Sequence, residues 1–175
     1  MDTAEKITSA IANVEASQQF LTFRLDGEYY GVDILQIQEI RGWGGVRHLP
    51  DMPACVQGVL DMRGTIVPII DLRERLGIRK IEYGTSTVII VVNIQQEGVT
   101  RIVGLVVDSV SDVLNTSRES IKQVDNLGTG VDVKYIDGMV TVKENLVVLL
   151  NVNSLLSTET AIASIVSTDR EGAGE

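Results

Sequence analysis

Residues 58–76, GVLDMRGTIVPIIDLRERL, recur in altered form and without a gap at 138–156, GMVTVKENLVVLLNVNSLL. Gly58 falls on Gly138, Asp71 on Asn151, and most apolar positions coincide. A second echo sets GVDILQIQEI (31–40) on GLVVDSVSDV (104–113) and pairs Glu39 with Asp112. Self-similarity of this kind confines a chain to architectures built from copies of one unit. Here the unit reads as β structure, so the repeat predicts two small β-barrels related by a pseudo-twofold over one continuous interior. The halves also differ: the first has Trp43 and an Arg63-Gly64 turn, the second Lys143-Glu144 and no aromatic counterpart.

Within the first copy, Val59, Leu60 and Met62 lead into Arg63-Gly64, where Gly64 can take the positive φ of a two-residue hairpin turn. Thr65–Ile70 is rich in β-branched residues, which suit a pleated, buried surface. Pro68 cannot donate a ladder hydrogen bond, which places its strand at an edge or a bulge. Asp71 is the expected N-cap of a short helical turn, LRERL, stopped by Gly77. Upstream, Gln19–Leu25 and Glu28–Asp33 read as strands joined at Asp26-Gly27. Ile34–Gly42 stays open between a strand and a helical turn, and Gly42–Gly45 reads as loop. A polar link over 79–86 separates the halves. Thr87–Ile94 is a nearly continuous apolar run, buried on both faces, and Arg101–Leu114 is a second long Val-rich stretch in which Gly104 marks a bulge or close approach. Asn115–Val131 reads as loop with one helical turn at 118–123. Val133–Val142 and Leu146–Val152 form a hairpin across Lys143–Asn145, and 153–157 close with a short helix. Residues 1–17, with Ile7, Ala10, Ile11 and Val14 at helical spacing, read as a flexible tail, 18–157 as the domain, and 158–175 as a polar tail.

With 175 residues and 44% hydrophobic content the chain can bury a real core, and at 4% aromatics that core must be aliphatic. A net charge of −9, with its cations scattered, argues against nucleic acid or an anionic membrane as partner. No secretory signal or span of about 20 apolar residues is visible. A single cysteine, Cys55, excludes an internal disulfide and fits a reducing compartment. The expectation is a soluble intracellular protein.

Catalytic chemistry finds no constellation. His48 is the one histidine, in a proline-flanked loop without the spacing of a zinc site. Cys55 lacks a residue arranged to orient a base. Leu127–Gly130 lacks the lysine of a phosphate-binding loop. Glu39, Asp61, Asp71, Asp108 and Asp112 sit at turns, caps and strand ends, where acids are commonly structural. No enzyme, cofactor or metal is expected. What remains is a stiff β scaffold with Glu39 and Arg63 among apolar neighbours, read either as a strand-joining salt bridge or as a recognition patch. Trp43 reads equally as a core plug or an interface anchor.

YYGVDILQIQEIRG, LPDMPACVQGVLDMRGTIVPIIDLRERLG, VGLVVDSVSDVL and YIDGMV, in that order, resemble the CheW family of chemotaxis adaptors from about Gln18 to Leu156. The resemblance implies an all-β fold with short helices: two five-stranded barrels similar to Src-homology-3 domains around a shared hydrophobic core. It implies a cytoplasmic, non-enzymatic scaffold, recruited to membrane-associated arrays, that couples the cytoplasmic tip of methyl-accepting chemoreceptors to the regulatory domain of the histidine kinase CheA. Ring assembly with such kinase domains comes with the same resemblance. Carried over by motif, the receptor-binding residues would be Ile37, Glu39, Gly58, Met62, Arg63, Val110 and Val113. The family often has Asn-Leu before the Arg-Gly turn, where this chain has Asp61-Met62, a change that would bear on receptor choice. A paralogue serving a non-chemotaxis array, or a small-ligand-binding barrel, stands as the alternative.

Overall fold

A computed structural model describes residues 3–7, 17–124 and 132–157. Residues 3–7 form an exposed helical turn. Ala10, Ile11 and Val14 of the expected N-terminal face, and the expected polar tail over 158–175, lie outside the described residues, as does Leu127–Gly130.

Ten strands follow in order: β1 (Ser17–Leu25), β2 (Glu28–Asp33), β3 (Ile37–Gly42), β4 (Val56–Met62), β5 (Thr65–Asp71), β6 (Val88–Gln96), β7 (Val99–Val107), β8 (Ser109–Ser117), β9 (Ile136–Val142) and β10 (Asn145–Leu150). They make two five-stranded sheets, ordered β8-β1-β2-β10-β9 and β3-β6-β7-β5-β4. Position for position, the two orders are the same list displaced by five strands, so the repeat is structural. Its register is also conserved. In the parallel pairings, Ile69 faces Gly104 and Leu149 faces Gly31. Both glycines are needed for that approach: a Cβ at Gly104 would lie 2.5 Å from Ile69 Cδ1, and one at Gly31 2.9 Å from Leu149 Cδ2.

Each sheet curls until its edges meet. Arg47, beyond β3, exchanges two backbone hydrogen bonds of 2.9 Å with Val59 of β4, and Lys122, beyond β8, does the same with Met139 of β9 at 2.9 and 2.8 Å. Three apolar clusters follow. Val67, Ile69, Ile89, Val91 and Val106 fill one barrel, and Phe20, Val140, Val147 and Leu149 fill the other. The largest cluster, including Phe23, Leu25, Val32, Ile90, Val92, Leu105, Leu155 and Leu156, draws on both sheets and is the shared core. It is mainly aliphatic, with Phe23, Tyr30 and Tyr135 as its aromatic members.

Connectivity interlocks the barrels. β3 to β7 form what is called the first barrel, while β1 and β2 begin the second and β8 to β10 return to it. Each barrel therefore combines two strands from one half of the chain with three from the other.

Several local expectations change. Ile34–Gly42 is both things at once: a 3-10 turn over Ile34–Gln36, then β3. The Val-rich stretch Arg101–Leu114 is shared between β7 and β8, with Asp108 between them where the chain changes barrels. β8 runs on to Ser117, into the segment expected to be loop. The second hairpin turns on Lys143-Glu144 alone, both at positive φ, with Asn145 already in β10. Pro68 sits neither at a sheet edge nor in a bulge: β5 is an inner strand, and Pro68 pairs with Val59. Its missing N–H is tolerated because the parallel ladder to β7 begins one residue later, at Ile69.

Candidate functional site

The candidate residues Ile37 and Val110 stand on strands that begin where the chain crosses between the barrels. On one side, Asp33 caps the 3-10 turn by accepting from the Leu35 amide at 2.9 Å, and β3 starts at Ile37. Ile37 is half-buried and packs on the shared core, Glu39 is half-buried opposite Val91, and Ile40 is 44% exposed. On the other side β8 starts after Asp108. Its Val110 pairs with Phe23 and packs on the same core, and Val113 is 45% exposed. In the repeat alignment Ile37 matches Val110 and Ile40 matches Val113, so the two strand starts are pseudo-symmetric copies. The Thr22 hydroxyl donates to the Asp112 carbonyl at 2.8 Å and accepts from its amide at 3.0 Å, which satisfies the backbone at the bulge that aims β8. Val113 and Asp112 also line a cavity of about 430 Å³ with Thr22, Tyr29, Val142 and Val147.

The β4–β5 hairpin presents Arg63. Arg63 and Gly64 have φ of 56° and 87°, as a primed two-residue turn requires, and Asp61 fastens the turn by accepting from the Gly64 amide at 2.8 Å. Arg63 is exposed at the tip, and Met62 is half-buried against the interior of the first barrel. Gly58 is buried at φ 150°, where any Cβ would strike the Arg47 carbonyl. It closes the barrel and offers a partner no side chain. Among the described residues no ion pair joins Glu39 to Arg63, so the expected strand-joining salt bridge is corrected. The two charges belong to one sheet, Glu39 within β3 and Arg63 at the tip of the β4–β5 hairpin.

Trp43 lies half-buried against the cluster inside the first barrel. Its backbone N–H donates to the Thr87 carbonyl at 3.0 Å, and its half-buried ring meets Tyr83 edge-on at 4.4 Å over the first barrel's interior. The Tyr83 hydroxyl in turn donates to buried Asp71, whose other carboxylate oxygen caps the Leu72–Arg75 helix by accepting from the Arg73 amide. Burial, then the bond to Asp71, push the Tyr83 hydroxyl far above its ordinary pKa.

Two buried arginines on that helix went unnoticed in the sequence. Arg73 clamps Asp108 with Nε and one terminal nitrogen at 2.6 and 2.7 Å, and its other terminal nitrogen donates to the Arg79 carbonyl at 2.6 Å. Burial alone would raise the Asp108 carboxyl. The hydrogen bonds from Arg73 and the Asp26 amide, with the charges of Arg73 and Arg24, outweigh it and hold the group below the usual carboxylate range. Arg75 donates to the Leu155 carbonyl at 3.0 and 2.7 Å and to the Tyr135 hydroxyl at 3.0 Å, stacking over the Tyr135 ring. The available signal was two cations in a helix too short to present both to water, flanked by buried strands.

Ile37 and Val110 thus pack on the shared core, Met62 packs on a separate cluster inside the first barrel, and Val113 lies exposed beside a cavity of the second. His48 is exposed and Cys55 buried. Among the described residues no cluster of three His, Cys, Asp or Glu could hold a metal ion, and no helix is long and apolar enough to cross a membrane.

Comparison with known proteins agrees with this architecture. The CheW-like domain family matches residues 19–160. A chemotaxis protein CheW from Klebsiella aerogenes is 40% identical over 151 residues, covering 86% of this chain and 89% of that protein. A probable chemotaxis protein CheW from Rhizobium etli is 31% identical over 143 residues, covering 82% and 90%. Among solved structures, scaffolding protein TtCheW from Thermoanaerobacter tengcongensis superposes with a TM-score of 0.73 at 27% identity, covering 81% of this chain and 89% of that one.

Proposed function

This chain belongs to the CheW-like domain family, and from that premise we propose that it is a chemotaxis adaptor that couples the cytoplasmic tip of chemoreceptors to the regulatory domain of the kinase CheA. It acts as a scaffold and carries out no chemistry of its own. The observation that carries the reading is that Ile37 and Val110, equivalent in the repeat, both pack on one shared core at the starts of β3 and β8, with the half-buried Glu39 two residues along β3. A receptor helical hairpin presents an apolar stripe bounded by polar residues, and that pattern suits apolar side chains set beside a charge. Ile37, Met62, Val110 and Val113 would supply the apolar contacts, Glu39 and Arg63 the polar register, and Gly58 the barrel closure beneath them. Trp43 holds the neighbouring loop down. Barrel ends remain for the kinase regulatory domain, with recruitment to receptor arrays and ring assembly as the larger consequence.

Mechanically, an adaptor of this kind holds the kinase in a fixed pose against the receptor, so rigidity matters more than reactivity. The test is a binding assay of the full chain against two baits, a receptor cytoplasmic hairpin and the CheA regulatory domain. Arg63→Ala should stay folded by circular dichroism, lose about tenfold in receptor affinity, which is about 1.4 kcal/mol, and keep its kinase affinity. Unchanged receptor binding by the variant would remove Arg63 from the site. Failure of the unmodified chain to bind either bait would sink the coupling role.

A further inference from the structure

Equivalent positions of the two short helices reach into opposite barrels. Arg73 follows β5 of the first barrel, yet it grips Asp108, where the chain crosses into the second, and lies 3.6 Å from Asp26 in the β1–β2 turn. Asp108 itself accepts from the Asp26 amide at 2.9 Å. In the repeat alignment Arg73 corresponds to Asn153, on the Val152–Ser157 helix after β10. Asn153 Oδ1 accepts from the Gln95 amide of β6 at 3.0 Å and from the Gln36 side chain at 3.5 Å, at the other crossing. Arg75, between the two, joins one helix to the other through Leu155 and Tyr135.

Each crossing leads at once into β3 or β8, whose starts are the two walls of the proposed receptor seam. Asp108 precedes Val110 by two residues, and Gln36 precedes Ile37 by one. The geometry points to Arg73 and Asn153 as the positioning residues that set the spacing of the receptor seam, one wall held by an ionic bond and the other by a neutral amide. This inference rests on the adaptor reading for its consequence and on the fold alone for its mechanism. The ionic arm is the stronger and better shielded, since Arg73 is 5% exposed and bonded at three points. The amide arm makes one good bond and one long one, so the Ile37 wall is the yielding one. A receptor tip that docks by spreading the seam moves that wall.

Distance measurement between the walls separates the two claims. Spin labels at Arg41→Cys on β3 and Ser111→Cys on β8, both exposed, are placed in a full-length Cys55→Ala background, and the distance distribution is read by pulsed electron resonance. Arg73→Met and Asn153→Ala should each broaden it, and Asp108→Asn should reproduce the first effect in part. Asp108→Asn keeps one acceptor and carries the test if Arg73→Met fails to fold. Unbroadened distributions in folded variants would overturn the inference. In parallel, the variants should lose roughly tenfold in binding to a receptor hairpin and retain binding to the kinase regulatory domain. An equal loss towards both baits would also overturn the positioning role, since it would report general damage. If the unmodified chain binds no receptor hairpin, the adaptor reading falls, and the label distances still decide whether these residues set the spacing.

Discussion

At the scale of single residues, the first barrel is organised by a relay that runs from Trp43 through Tyr83 to Asp71. Tyr83→Phe keeps the ring against Trp43 and leaves one oxygen of a buried carboxylate without its donor. Because Tyr83 is only half-buried, water can reach part of the gap, and the expected cost is about 1 kcal/mol. A lower urea midpoint at unchanged slope would be the sign of it; an unchanged midpoint would mean the hydroxyl bond is not stabilising. Asp108 makes a prediction about pH. Its folded pKa lies below the unfolded one, so its contribution is complete above the ordinary carboxylate range and is lost as pH falls through the folded value. Asp108→Asn should therefore be less stable than the unmodified chain near neutrality, and the gap should narrow on acidification. Parallel stability curves down into the acid range would contradict that assignment.

At the scale of elements, the parallel pairings between halves are the least forgiving contacts, and the two copies differ in measurable degree. Gly104→Ala puts a methyl against both Ile69 Cδ1 and Ile89 Cγ2, the latter a stiff β-branch, whereas Gly31→Ala meets chiefly the flexible end of Leu149. Gly104→Ala should cost about 1–3 kcal/mol and Gly31→Ala less, by thermal or chemical unfolding; the reverse order would refute the packing account. These pairings also explain what was legible beforehand. The hairpins at Asp26-Gly27 and Arg63-Gly64 announce themselves by local chemistry, and the repeat fixed the strand equivalences, because both depend on residues close in sequence or alike in kind. The break at Asp108 was hidden because a change of sheet leaves the apolar pattern on either side intact. Pro68 misled because its tolerance depends on where a neighbouring strand starts pairing, which no local rule contains. For the candidate site, the motif residues were legible one by one. The burial of Gly58, the packing of Trp43 on the first barrel's interior and the Arg73–Asp108 grip were not, since each is a contact across many residues.

At the scale of the whole molecule, interlocking is the dominant fact. Residues up to β5 supply two strands to one barrel and three to the other, and residues from β6 supply the complement. A chain divided between Lys80 and Ile81 therefore leaves each half with two incomplete sheets and the shared core split between them. Two or three strands without a covering layer are marginal in water, and the newly exposed edges of β1, β2, β3 and β5 in one half and of β6, β7, β8 and β10 in the other would seek partners. Neither half should show a cooperative unfolding transition at low concentration. Mixing the halves should restore the β signal in circular dichroism and a single transition, because every parallel ladder and both helix-to-barrel clamps re-form between them. A half could complete its barrels alone only as a swapped dimer of itself, with the pseudo-twofold made exact, so any transition it shows should rise with concentration. A concentration-independent, cooperative transition in either isolated half would mean that the barrels are separable units. The rigidity on which the adaptor role depends would then have to come from elsewhere than their interlocking.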